Sequence, residues 1–165
     1  MAPTVQTGRV RILLKFVLDC PPDAAWWALR SPAVFRAVAR PLVSFESLEK
    51  NGFPDAWSPG IHPVRAKALG RLPMGEQLID LSFPRRADGV RMEVDSGGAL
   101  NGAMSVITRW QHTMAVSATS DGRTLYRDRL VFSAGPLTLV LWPVLWVFWQ
   151  WRAGRIRRLS RDWRS

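Results

Sequence analysis

The 165-residue chain predicts an α+β fold. The expected architecture is a curved antiparallel sheet of about six or seven strands, with two short helices after strand 1 and a long C-terminal helix across the concave face. Three observations carry that prediction. Residues 9–18, RVRILLKFVL, alternate with the period of a half-buried strand. Two proline-opened apolar stretches follow within residues 21–40. The run from Leu137 to Arg164 is apolar, then basic, and carries apolar residues at helical spacing. An antiparallel sheet of this size cannot bury both faces by itself, and the last helix has the length and apolar content to fill the concave side.

In strand 1, Val10, Ile12, Leu14, Phe16 and Leu18 make one face, while Arg9, Arg11 and Lys15 mark the other. In DCPPDAAWWALRSP, Asp19 is placed to cap a helix and the prolines suit its first turn. Ser31-Pro32 stops that helix, and Ser31 caps the next, SPAVFRAVAR, which ends before Pro41. From there to about residue 134 the pattern is of strands. LVSFESLE is followed by the turn-rich loop KNGFPDAWSPG. HPVRAKALGRL and EQLIDLSF form a pair joined at Pro73-Met74-Gly75, and GVRMEVDS precedes the loop GGALNG. MSVITRWQHTMAVSAT and RTLYRDRLVFSA close the set.

The last two strands define their own register. Trp110, His112, Met114 and Val116 share the buried face of the first; Tyr126, Asp128, Leu130 and Phe132 are the apolar set of the second. Cross-strand partners point the same way, so even positions must meet even ones. A two-residue Asp-Gly turn would break that parity. A three-residue Ser120-Asp121-Gly122 loop with Gly122 left-handed pairs 119 with 123 and keeps it. His112 then lies opposite Leu130 and diagonal to Asp128, within side-chain reach.

The final helix carries Leu, Leu, Phe, Arg, Ile and Leu at 141, 145, 148, 152, 156 and 159, and a second stripe of Trp142, Trp146 and Trp149. Pro143 either kinks the helix or marks its first turn. The fifteen residues 137–151, polar only at Thr138 and Gln150, reach about 22 Å as a helix, against about 30 Å of bilayer hydrocarbon, which argues against a spanning segment. The three tryptophans, followed by an arginine cluster, instead match a helix lying on an anionic membrane surface.

The net charge is +10, and 20 of the 23 basic residues are arginine. Residues 135–165 hold +5 of that charge. Such a balance favours anionic partners, although arginine also complements a helix C-terminus. No nucleic-acid recognition motif accompanies it. Cys20 is the only cysteine, which excludes an internal disulfide. ILLKFVL is too short and interrupted for a signal sequence. The expectation is one domain over 1–165, cytoplasmic or peripheral to the inner face of the membrane. There is no nucleophile elbow and no P-loop, and SGGALNG joins strands instead of opening a helix. His62, His112 and one cysteine give no metal spacing, so no metal or cofactor is expected. His62, between Gly60 and Pro63, reads as a loop residue.

Three features together resemble the START-like, or SRPBCC, superfamily of the helix-grip fold, which includes polyketide cyclases, lipid-transfer domains and plant allergen-type proteins. They are the strand running into PPDAAWWALRSPAVFRAV, the pair TRWQHTMAV…DGRTLYRDRLVFSAG, and the C-terminal helix ending RIRRLSRDW. The middle feature is similar to a bacterial ligand-binding branch with a Trp-x-His-x-His strand, except that Met114 stands at the second histidine. The resemblance implies a hydrophobic ligand held between sheet and helix, with Trp26, Trp110, His112, Met114, Phe132, Leu141, Leu145 and Phe148 facing it. The same residues would also make a solid core. His112 oriented by Asp128, with Tyr126 as acid, would suit cyclisation or dehydration of a polyketide-like chain; the pair would equally serve to tie two strands together. The leading expectation is a carrier of a hydrophobic small molecule or lipid. A His-Asp cyclase and a peripheral membrane protein are the alternatives.

Overall fold

The computed structural model describes residues 9–164. Strand β1 (Val10–Leu18) leads into helices α1 (Pro22–Leu29) and α2 (Pro32–Ala39). Strands β2 (Val43–Ser47), β3 (Gly60–Ala68), β4 (Leu72–Ser82), β5 (Arg91–Asp95), the two-residue β6 (Gly98–Ala99), β7 (Arg109–Ala118) and β8 (Thr124–Ser133) follow, and helix α3 (Thr138–Ser160) ends the chain. All pairings between strands are antiparallel. The sheet order is β1-β8-β7-β5-β4-β3-β2, with β6 on β4. The short helices occupy the first crossover, so β1 and β2 become opposite edges, and α3 lies across the concave face.

The β7–β8 register is the one that side-chain parity requires. Trp110 pairs Phe132, His112 pairs Leu130 and Ala118 pairs Thr124. The turn closes with the Thr119 amide donating to the Arg123 carbonyl at 2.9 Å, and Gly122 has φ 80. β1 extends the same inward rows, with Leu14 opposite Asp128 and Phe16 opposite Tyr126.

Several local expectations are corrected. Neither α1 nor α2 has a side-chain cap: Pro21 precedes α1, and Ser31 makes no capping bond. The Asp19 carboxylate instead accepts from Arg123 at 3.1 Å, tying the end of β1 to the β7–β8 turn. The β3–β4 turn falls at Leu69-Gly70, both at positive φ, while Pro73 to Gly75 lie inside β4 where the register shifts. Proline is tolerated there because a bulge needs no ladder donor at that position. Residues 103–106 form a 3-10 turn instead of the start of a strand. Gly102 and Gly75 face each other at positive φ, and a Cβ on either would strike the other segment's backbone. That close approach folds the turn over the end of β4. His62 lies in β3, buried against Trp57, with Nδ1 2.7 Å from Glu49 and Nε2 2.9 Å from the Ser58 carbonyl, so it pins the preceding loop. Pro143 is inside α3 and neither starts it nor breaks it. The carbonyl it leaves unbonded belongs to Leu139, whose side chain is 78 % exposed, on the side where water is available.

Candidate functional site

The concave face is filled unevenly. Over β1, β7 and β8 it is solid: Ile12, Leu130, Phe132 and Trp149 form one core cluster, and Leu18, Val116, Tyr126 and Ile156 belong to another. Over β2, β3 and β4 the inward row contains Ala66 and Ala68, which are too short to reach α3. The result is a cavity of about 510 Å³ between that arm of the sheet and the helix. Phe45, Ala66 and Ile79 line its floor and Leu141, Leu145 and Phe148 its roof. At its rim Val106, Val144 and Val147 are both cavity-lining and solvent-exposed.

A polar group sits where the cavity meets the solid half. Asp128, 2 % exposed, accepts three bonds: from Tyr126 Oη at 2.6 Å, Trp149 Nε1 at 2.8 Å and His112 Nε2 at 2.9 Å. Burial alone would raise its pKa. The charge and hydrogen bond of His112, the charge of Arg152 and the Tyr126 hydroxyl outweigh burial and hold it at about 2. Burial, reinforced by the neighbouring carboxylate, pushes the Tyr126 hydroxyl well above its usual range. Next along the sheet, Asp95 lies opposite His112 and accepts from Trp110 Nε1 at 3.2 Å and from the amides of Asp80 and Gly97, each at 2.9 Å. Burial raises its pKa against those bonds. Glu93 on the same face is buried with Oε2 unpartnered, and desolvation, then the Asp95 charge, push it up to about 8.

Of the ligand-facing residues expected from the sequence, Trp110, His112, Leu141, Leu145 and Phe148 line the cavity. Three lie elsewhere. Phe132 is sealed in the solid half, Met114 packs in the Tyr126 cluster, and Trp26 sits edge-on to Phe83 with Arg30 and Arg91 near its ring. The expected trio of His112, Asp128 and Tyr126 is brought together, but only His112 reaches the cavity; Asp128 and the fully buried Tyr126 stand behind it. The expected membrane-facing stripe divides as well. Trp142 and Trp146 stack at 6.4 Å near the surface, whereas Trp149 is 2 % exposed and held by Asp128, so it cannot face a membrane. Sequence reasoning passed over Arg152, although an arginine in the inward stripe of an apolar helix was its signal. It also passed over the β2–β4 lining, for which the inward alanines of β3 were the signal.

A curved antiparallel sheet gripping one long C-terminal helix, with a cavity between them, is a helix-grip fold. Solved structures share it across nearly the whole chain. Protein jhp0584 from Helicobacter pylori superposes with a TM-score of 0.67 at 10% identity, over 96% of this chain and 90% of its own. Truncated norcoclaurine synthase from Thalictrum flavum gives 0.66 at 12% identity, over 98% and 99%. Protein CV1439 from Chromobacterium violaceum gives 0.61 at 16% identity, over 91% and 96%. No family model and no curated protein matches the sequence. Among the described residues, no helix is long and apolar enough to cross a membrane.

Proposed function

We propose that the protein binds a hydrophobic small molecule or lipid between the sheet and α3 and acts as its carrier. The observation that carries this reading is the cavity of about 510 Å³, apolar over floor and roof and polar at one end. Ligand sites have this form and fall at about 300–1,000 Å³. A norcoclaurine synthase of the same fold, seen in complex with dopamine and hydroxybenzaldehyde, lends support at the level of the fold. A ligand burying roughly 300 Å² of apolar surface gains about 7 kcal/mol gross; after association costs, tighter than micromolar binding requires the polar end as well. Native mass spectrometry of the purified protein tests the reading. A retained apolar species, or one taken up from added lipid, is expected; a bare protein indifferent to lipids would end it.

A second reading rests on His112. Its Nε2 is oriented by Asp128 while the ring borders the cavity, the arrangement a general base needs for cyclisation or dehydration of a polyketide-like chain. Tyr126 is sealed away from any ligand, so it would support Asp128 and not donate a proton to substrate. If His112→Ala and Asp128→Asn keep ligand affinity but lose turnover of such a chain, the enzyme reading displaces the carrier.

The rim favours ligand exchange at a membrane surface. Val144 and Val147 are 61% and 58% exposed while lining the cavity, and Trp146 lies beside them on α3. An interfacial helix places its apolar side in this way, and the excess positive charge favours anionic lipid. Flotation with anionic vesicles should fall on joint replacement of Val144, Trp146 and Val147 by serine. Undiminished flotation would exclude this face as the anchor.

A further inference from the structure

Among the described residues, Arg152 is the one arginine or lysine that lines the cavity. It is 6 % exposed, and its guanidinium stacks over the Trp149 ring at 5.1 Å. No described residue takes a hydrogen bond or ion pair from it, and Nε is sealed without a partner. A buried cation normally has a carboxylate in contact, because desolvating it alone is costly. The nearby carboxyls do not fill that role. Both oxygens of Asp128 are taken by Tyr126, Trp149 and His112, and both oxygens of Asp95 by Trp110 and two backbone amides. Glu93 is buried beside them, makes no ion pair with Arg152 and keeps Oε2 unbonded. The arrangement therefore holds an unclaimed donor fork in a largely apolar cavity whose other polar lining residues are His112, Asp95 and Gln77.

We propose that the ligand is an anionic amphiphile whose carboxylate head seats on the guanidinium of Arg152 and whose apolar tail lies between Phe45, Ala66 and Ile79 below and Leu141, Leu145 and Phe148 above. This rests on the binding reading and specifies its chemical class. The guanidinium fork matches a carboxylate with two parallel bonds, and the Trp149 ring beneath it limits its movement. An alcohol of the same tail would offer one weaker acceptor. At neutral pH the buried Glu93 carboxyl keeps its proton and does not compete for the cation, which agrees with the geometry.

The test compares dodecanoate with 1-dodecanol by calorimetric titration below micellar concentrations. The folded protein should bind the acid at least about tenfold tighter, the least that one charge-assisted bond supplies. Arg152→Gln should abolish that preference by weakening binding of the acid at least about tenfold, and an unchanged circular dichroism spectrum and urea midpoint show that its fold is intact. Arg152→Lys, which keeps the charge and loses the fork, should retain an intermediate preference and serves if the glutamine variant does not fold. Equal affinity of the unmodified protein for acid and alcohol overturns the head-group assignment and leaves the cavity reading standing. So does a preference for the acid that survives in Arg152→Gln. Binding of neither amphiphile overturns both.

Discussion

Replacing Asp128 by asparagine tests the centre of the solid half. The substitution keeps the shape and removes the charge that receives three buried donors, His112 Nε2, Trp149 Nε1 and Tyr126 Oη. A hydrogen bond to a charged group contributes about 1.5–3 kcal/mol and a neutral one about 0.5–1.5. The difference of about 1 kcal/mol, over three bonds, gives a loss of about 3 kcal/mol at pH 7. The new amide hydrogens must also meet either the Tyr126 oxygen or two donors, so the loss should not be smaller. Urea unfolding followed by tryptophan fluorescence reads it as a lower midpoint at an unchanged slope. The pH dependence supplies an independent check. The folded pKa of Asp128, about 2, lies below its ordinary 3.8. Its contribution is therefore complete above about pH 4 and is lost as pH falls through about 2, amounting to about 2 kcal/mol. The difference in stability between the natural protein and Asp128→Asn should shrink by about that amount over this window. A variant within about 0.5 kcal/mol of the natural protein at pH 7, or a difference independent of acid, would refute the account of Asp128 as the shared acceptor of the core.

Three further outcomes follow from the same geometry. Glu93 is raised from 4.5 to about 8 by burial, then by the Asp95 charge, against Arg30 and Arg152. The folded state thus holds a proton that the unfolded chain releases, and stability falls as pH rises from 4.5 to 8; Glu93→Gln should escape that fall, gaining at most about 5 kcal/mol relative to the natural protein by pH 8, and parallel curves for the two proteins would contradict the assignment. Ala66→Leu should fill the cavity floor: native mass spectra should show no retained apolar species and the thermal midpoint should not drop, whereas undiminished ligand uptake would place the ligand elsewhere. Gly102→Ala should cost more than about 1 kcal/mol in urea, because its φ of 77 and the backbone of Met74 and Gly75 leave no room for a methyl group; an unchanged midpoint would mean that the 3-10 turn adapts freely.

The main strands and helices, their order and the β7–β8 register were determined by the sequence itself. Period-two and helical spacings are local, and parity between Trp110–Val116 and Tyr126–Phe132 excludes the two-residue turn and keeps the three-residue one. The approach of His112 to Asp128 followed from that register, since cross-strand neighbours are prescribed once pairing is known. What the amino acids could not announce was which half of the sheet would be full. Phe132 was large enough to serve either as lining or as core, and packing against Ile12 and Leu130 made it core; Trp149, expected to face a membrane, joined the same cluster and borders the cavity. Space opened where Ala66 and Ala68 face α3 across strands distant in sequence. The turn at residues 103–106 likewise depended on Gly75 and Gly102 meeting backbone to backbone, 27 residues apart. Periodicity reports which side of an element is apolar. Whether that side meets a neighbour or a void depends on the summed size of side chains from several elements, and that sum exists only once the chain has folded.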